Sequence, residues 1–305
     1  MRARVPAWAA PARAPIDEPF TWLSLVLRLV GVAAMALLWW ALAFLAWQRA
    51  GPAAQSPSWL PSLPLLFTDL EVAIFGPIGA SLVVVALLRQ GRLAFLSVLL
   101  GYLVAALLTL TRSADAYDKV LSATESQLML AVCAIAAYAG LAIGAIAIRS
   151  LRSFGLLGLL AVAPVASLIA VLLDPGAGLW LTRSALVVLL VMIAWRPWSG
   201  VLLWPIFFAL LWLLTLVMSA VGYGAQRLNP PAGGGASLGS LAHTMLDYVR
   251  SAWSTLLQIS WDLFWPAAVI AALVVAFLYI WRRSEPVPAS DLNSDQQHIT
   301  GGSAG

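Results

Sequence analysis

Charge, cysteine and histidine are all scarce in this chain of 305 residues. Only 10% of the residues are charged and 62% are hydrophobic, whereas roughly a quarter of the residues in an ordinary soluble domain are charged. A soluble globular domain is therefore excluded, and a polytopic membrane protein is predicted. The single cysteine, Cys133, excludes a disulfide framework and any paired-cysteine metal or redox site.

Ionisable side chains are nearly absent from the long apolar runs, which argues against a proton relay or an ion-coupled transporter. The two histidines, His243 and His298, lie outside those runs. Haem held by paired imidazoles and the common histidine-based metal sites therefore lack their ligands, and we predict no cofactor and no metal. Arg28 and Arg183 do lie inside runs. We interpret both as side chains that reach back to the membrane interface, with an anion site as the alternative for Arg183.

Eight apolar runs are present, each close to the roughly 20 residues that cross a bilayer as a helix. They span about 23–47, 70–88, 93–111, 128–148, 154–173, 179–195, 201–221 and 263–281. Pro77, between Gly76 and Gly79, predicts a bent or locally unwound second span, and Pro164 lies near the centre of the fifth. The predicted fold class is all-α: a polytopic integral membrane helix bundle of about eight transmembrane helices plus an outer amphipathic helix.

Arginine positions predict the orientation of the chain. Ten of the basic residues lie on one side, in the tails and short turns, at positions 2, 4, 13, 89, 92, 149, 152, 196, 282 and 283. The other side has only six, on longer loops, so both the tail 1–22 and the flexible tail 282–305, which ends in a linker-like glycine-rich stretch, are predicted to be cytoplasmic. With a single lysine among the basic residues, the composition is typical of a GC-rich bacterium, and we predict a multi-pass protein of the bacterial plasma (inner) membrane.

A second kind of segment, about 237–262, predicts an amphipathic helix on the outer side. It follows the breaker run 230–235 and begins at Ser237, a plausible N-cap. Its apolar side carries Leu238, Leu241, Met245, Tyr248, Ala252, Leu256 and Ile259, and its polar side carries Ser240, His243, Thr244, Asp247, Arg250, Ser254, Gln258 and Asp262. So long an apolar stripe must be covered by lipid, by the protein's own bundle or by a partner.

Small residues mark a further candidate contact in the fourth span. Gly140 and Gly144 are four residues apart and allow another helix to approach closely. Packing within the chain is the simpler interpretation, and a partner's span is the alternative. The residues predicted to contact a partner are Leu241, Met245, Tyr248, Leu256, Gly140 and Gly144.

An acidic pair, Asp69 and Glu71, precedes the second span. Thr68 and Glu71 are spaced as a capping box, in which the two side chains bond each other's backbone amides. We favour that structural role. The alternative is catalytic, because the pair resembles the acidic pair of membrane glycosyltransferases that use lipid-linked sugars.

The sequence favours a non-catalytic multi-span subunit of a bacterial envelope membrane complex, and this interpretation rests mostly on elimination. A transporter or lipid-handling permease is the first alternative, with the proline-containing second and fifth spans as its substrate-lining parts. A membrane glycosyl- or lipid-transferase using Asp69 and Glu71 is the second. The predicted partners are the lipid bilayer and other membrane proteins. No phosphate-binding loop and no basic patch for nucleic acid is present in the sequence.

Overall fold

The computed structural model describes most of the chain, and the regular elements in the described part are all helices. The described residues are 22–45, 47, 63–64, 69–116, 123–173, 175–195, 198–227 and 238–284. This architecture confirms the predicted all-α fold class, a polytopic helix bundle. Of the two predicted tails, only residue 22 and residues 282–284 are described, and they belong to helices.

The described chain contains the following α-helices. They are α1 (Trp22–Trp40), α2 (Leu70–Leu88), α3 (Gly91–Ala116), α4 (Ala123–Ala147), α5 (Leu151–Leu157), α6 (Leu159–Leu172), α7 (Pro175–Ala194), α8 (Trp204–Arg227) and α9 (Leu238–Ser284). A π-helical turn, Ala41–Leu45, extends α1, and a 3₁₀ turn, Trp198–Leu203, precedes α8.

Seven of the described helical segments are long and apolar enough to cross a membrane. They are Leu25–Leu45, Leu70–Leu88, Gly91–Leu110, Gln127–Ala147, Gly176–Ala194, Ser199–Gln226 and Ala242–Trp281. The pair α5 and α6, which bends by 59°, is an eighth candidate if it forms one span.

Neither of the two proline-containing spans is interrupted at its proline. Pro77 lies inside α2, which stays helical from end to end, so local unwinding is not observed there. In the fifth span the break falls at Gly158, and Pro164 lies inside α6. Glycine suits this break because a Cβ at position 158 would lie only 2.6 Å from the Phe154 carbonyl oxygen. The break thus falls at a glycine, six residues before the proline.

The first half of the bundle is built around α2, which packs against α1, α3, α4 and α6. Its core contains the buried side chains of Trp39, Phe44, Val84, Met129 and Cys133. A buried polar pair links two helices inside this apolar core, since Trp39 Nε1 donates a hydrogen bond to Ser81 Oγ at 2.9 Å. Such a bond fixes the rotation of α1 against α2, because neither polar group has water as an alternative partner.

We expect Ser81→Ala to destabilise the protein in detergent by about 0.6–1.7 kcal/mol, the range for hydrogen bonds between membrane helices. The change leaves Trp39 Nε1 without its acceptor in the core. Ser97→Ala is the matched control, because Ser97 is equally buried but donates only to Leu93 of its own helix, at 2.8 Å. Thermal unfolding of both variants measures the difference, and an equal loss from the two would remove the role assigned to the bond between helices.

The second half of the bundle consists of α7, α8 and α9 with the bent pair α5–α6. Its core is formed by Leu186, Leu190, Ile193, Phe207, Phe264, Ala267 and Ala271. Small residues on α9 let it approach its neighbours closely, since both Ala267 and Ala271 are fully buried. Gly155 has the same role on α5, where a Cβ would lie 2.5 Å from the Ile193 side chain.

The last helix, α9, is continuous over 47 residues, or about 70 Å at 1.5 Å per residue. The predicted outer helix and the predicted last span are therefore parts of one helix, which includes Pro266 without ending there. Ring contacts of Tyr248 with Tyr223 and of Trp261 with Phe208 align it antiparallel with α8. The N-terminal half of α9 thus lies beside a candidate membrane helix.

Candidate functional site

The glycine pair of the fourth span packs within the chain. A Cβ at Gly140 would lie 2.5 Å from the Ile78 carbonyl oxygen, and one at Gly144 would lie 2.9 Å from Val85 Cβ. Both neighbours belong to α2. The simpler interpretation of the glycine spacing therefore accounts for both residues, and neither is available to a partner's span.

Part of the apolar side of α9 is also covered by the protein itself. Leu256 is buried, Met245 is half-buried, and the Tyr248 ring stacks on Tyr223 of α8 with centroids 4.5 Å apart. The side chain of Leu241 lies outside the described residues. Cover by the chain's own bundle, one of the predicted alternatives, thus accounts for much of the stripe.

Three ring pairs show how α8 and α9 are aligned. Besides Tyr223 with Tyr248, Trp212 meets Trp253 at 4.2 Å and Phe208 meets Trp261 at 5.6 Å between centroids. Rising numbers on α9 correspond to falling numbers on α8, so the helices are antiparallel. Residues 248–261 of α9 therefore lie beside residues 208–223 of α8.

The opposite side of α9 carries a row of exposed polar residues, here called the polar stripe. It consists of His243, Asp247, Arg250, Ser254, Gln258 and Asp262. At its beginning the charges are satisfied locally, because Asp247 binds His243 Nδ1 at 2.8 Å and Arg250 Nη1 at 3.9 Å. The predicted pair of Asp247 with Arg250 is thus present. At the other end, Asp262 forms no ion pair within the described part of the chain.

The depth of Asp262 follows from its neighbour Trp261, which contacts Phe208. Phe208 lies nine residues after Ser199, the start of a candidate membrane span, or about 16 Å along a path that is partly 3₁₀ turn and partly α-helix. If that segment crosses the bilayer, Gln258 and Asp262 lie at the depth of the hydrocarbon. Exposed carboxylates there are rare, and almost all of them face protein or a water-filled cavity.

A second feature is a cavity of about 200 Å³ between the π-helical turn, α2, α6 and α8. The side chains of Trp47, Glu71, Phe75, Pro164, Ser167 and Met218 contribute to its lining, which is otherwise apolar. The π turn and Pro164 are both departures from regular helix. Such irregular backbone at membrane depth is tolerated where it is buried in protein or lines a cavity.

The predicted capping box of Thr68 and Glu71 is described only in part. The N-cap of α2 is Asp69, whose side chain makes no capping hydrogen bond, while Thr68 lies outside the described residues. The Glu71 carboxylate is instead directed at α8, since a Cβ at Gly222 would lie 2.6 Å from Glu71 Oε2. A local spacing rule does not include such a contact with another helix.

The acidic pair is divided between two environments. Glu71 lines the cavity, and Asp69 is not part of its described lining. Sequence reasoning missed the α8 residues Met218 and Gly222, and the only signal for them was a glycine-containing end to an otherwise bulky span.

Arg183 is half-buried on α7, and its guanidinium lies 6.0 Å from the centre of the Trp180 ring. That distance is at the limit of a cation–π contact. Its Nε has no hydrogen-bond partner in the described structure. Nothing with ligand geometry surrounds it there.

No group of three or more His, Cys, Asp or Glu side chains that could hold a metal is present among the described residues. The site features of this part of the chain are thus the polar stripe and the Glu71 cavity. In comparisons with known proteins, the chain matches no family model, no curated protein and no solved structure.

Proposed function

We propose that the protein is a non-catalytic multi-span subunit of a membrane protein complex in the bacterial envelope, and that the polar stripe of α9 is its main contact. The observation that carries this proposal is the exposed carboxylate of Asp262 beside an apolar helix. An Asp at the centre of a membrane helix costs about 2.5–3.5 kcal/mol when lipid is its only neighbour. A partner helix with hydrogen-bonding side chains removes that penalty.

The surroundings of the stripe also suit a protein contact. Trp253, Trp261 and Trp265 are each about half exposed, at 48%, 51% and 48%. Tryptophan is enriched among the residues that dominate binding energy at interfaces. The amide of Gln258 and the carboxylate of Asp262 lie among these rings, and polar side chains of this kind can form hydrogen bonds between membrane helices.

Purification in a mild detergent, followed by mass spectrometry of the co-purifying chains, tests this function. We expect at least one other membrane protein in a fixed ratio to this chain. Disuccinimidyl cross-linking is unsuitable because the chain has a single lysine. A photoreactive amino acid at Ser254, on the stripe, is the better probe, and Leu273, exposed on the apolar half of α9, is its control position. Equal labelling of partner protein from both positions would contradict the proposal.

The orientation proposed for this subunit has both termini in the cytoplasm, since the short arginine-containing turns collect on one side. We expect cysteines introduced at Gln90 and Ser150 to be protected from an impermeant thiol reagent in intact cells. A cysteine at Asp118 should react. The native thiol, Cys133, is buried and serves as the unreactive background. Reaction at Gln90 and Asp118 alike would exclude this topology.

A permease is the second candidate, favoured by the cavity beside Glu71. Three features meet there: the π turn, the proline of α6 and a close approach of Gly76 to Ala43. A Cβ at Gly76 would lie 2.6 Å from the Ala43 carbonyl oxygen. Transporters place substrate sites at such interruptions. A mutational scan selected on the protein's cellular role separates the two functions. Sensitive positions confined to the cavity favour the permease, and sensitive positions along the stripe favour the subunit.

A further inference from the structure

We propose that the Glu71 cavity binds an ammonium group, either the headgroup of an aminophospholipid or a small free amine. The inference goes beyond the subunit function, because it requires only the cavity and not the partner on α9. Its failure would leave the polar stripe unaffected.

The Glu71 carboxylate supplies the negative charge of the proposed ammonium site. The carboxylate is half-buried, and its Oε2 faces the backbone of Gly222. Within the described residues it has neither a hydrogen-bond donor nor a basic side chain as a partner. A carboxylate in the first turn of a helix interacts favourably with the helix dipole. At the edge of a membrane it also favours a cation beside it, and the cavity leaves space for one.

The walls of the cavity select the kind of cation. Trp47 and Phe75 contribute aromatic surface, and Met218 and Val72 contribute apolar surface. An ammonium group interacts favourably with both the carboxylate and the faces of the aromatic rings. A metal ion would require several oxygen ligands. Of the described lining side chains, only Glu71 and Ser167 supply oxygen atoms.

The size of the cavity limits the ligand. Its 200 Å³ is below the roughly 300–1,000 Å³ of pockets that enclose drug-sized molecules. An ammonium group with two or three carbon atoms fits this space. The phosphate and acyl chains of a lipid would remain outside, where the acyl chains stay in the bilayer and the phosphate is away from the carboxylate.

Native mass spectrometry of the whole protein tests the site, with phosphatidylethanolamine and phosphatidylglycerol offered together. We expect preferential retention of phosphatidylethanolamine and, in Glu71→Gln, a preference weaker by on the order of tenfold or more, since the charged partner of the ammonium group is lost. Gly222→Ala should weaken it as well, by displacing the carboxylate without removing it. Asp69→Asn is the matched control, the same chemical change two residues away and outside the described lining.

Free ethanolamine identifies the source of the ammonium group. If it leaves lipid retention unchanged at millimolar concentration, the ligand is the lipid headgroup. If it binds by itself and Glu71→Gln abolishes that binding, the ligand is a free amine. Equal retention of the two lipids by the wild type, together with no binding of ethanolamine, would overturn the proposal. A loss of lipid preference in Asp69→Asn equal to that in Glu71→Gln would also overturn it. If Glu71→Gln does not fold, the lipid preference of Gly222→Ala is measured in its place.

Discussion

Alanine at position 140 is expected to destabilise the bundle by about 1–3 kcal/mol, the usual cost of overpacking a well-packed core. This result runs against helix propensity, because alanine is about 1 kcal/mol better than glycine inside a helix. The reason is the contact with α2, where the new Cβ would lie 2.5 Å from the Ile78 carbonyl oxygen and 2.8 Å from Ile78 Cα. These are backbone atoms, so no side-chain rotation relieves the clash and the two helices must separate.

Gly31→Ala is the matched control for that prediction. Gly31 is also in the interior of a candidate membrane helix, but a Cβ there would meet nothing within 4 Å. We expect this variant to unfold at the wild-type temperature or slightly above it. Thermal unfolding of both variants in one detergent gives the comparison. A Gly140→Ala protein as stable as Gly31→Ala would mean that α2 and α4 are not in close contact.

Much of this fold is predictable from sequence because membrane helices are determined locally. An apolar run of suitable length must be helical in lipid, since every backbone amide and carbonyl needs a partner within the segment. The spacing of Gly140 and Gly144 likewise predicts a close helix contact. It does not predict which helix makes it, because α2 is apolar on all sides and gives no preferred face.

The candidate sites could not be predicted in the same way, because they depend on contacts between distant segments. The cavity needs the π turn after α1, the start of α2, the middle of α6 and the end of α8 to meet. Taken alone, none of these four segments has a sequence pattern that indicates a cavity. The local rule for Glu71 predicted a cap, and it could not include Gly222, about 150 positions later in sequence, which lies against the carboxylate.

The extent of α9 illustrates a further limit. Hydropathy predicts an outer helix and then a span, divided near Asp262, since the two halves differ in polarity. Phe208 of α8 contacts rings on both sides of that division, Trp261 and Phe264, and the ring contacts bring residues 248–261 beside a candidate membrane helix. Hydropathy averages all sides of a helix together. A hydropathy-based prediction therefore places a helix whose polar side faces a partner outside the membrane.

The double change Gln258→Leu with Asp262→Leu is expected to release the proposed partner while the eight candidate spans remain folded. Both side chains are exposed, so leucine disturbs no contact with α8, and the free subunit becomes more compatible with lipid. Removing the roughly 2.5–3.5 kcal/mol that an unpartnered Asp costs in lipid removes most of the advantage of association. At 1.4 kcal/mol per tenfold, the complex should be weaker by on the order of a hundredfold.

The control for this release is Asp247→Leu with Arg250→Leu, about three turns towards the beginning of the same helix. Those charges already bind each other and His243, and exposed pairs of this kind contribute little, about 0–1 kcal/mol. We therefore expect the control to retain its partner when the complex is isolated in mild detergent and its chains are quantified. If the control lost the partner and the Gln258/Asp262 variant kept it, the contact would lie at the outer end of α9. Retention by both would remove the stripe as an interface, because leucine at four of its positions would then have changed nothing.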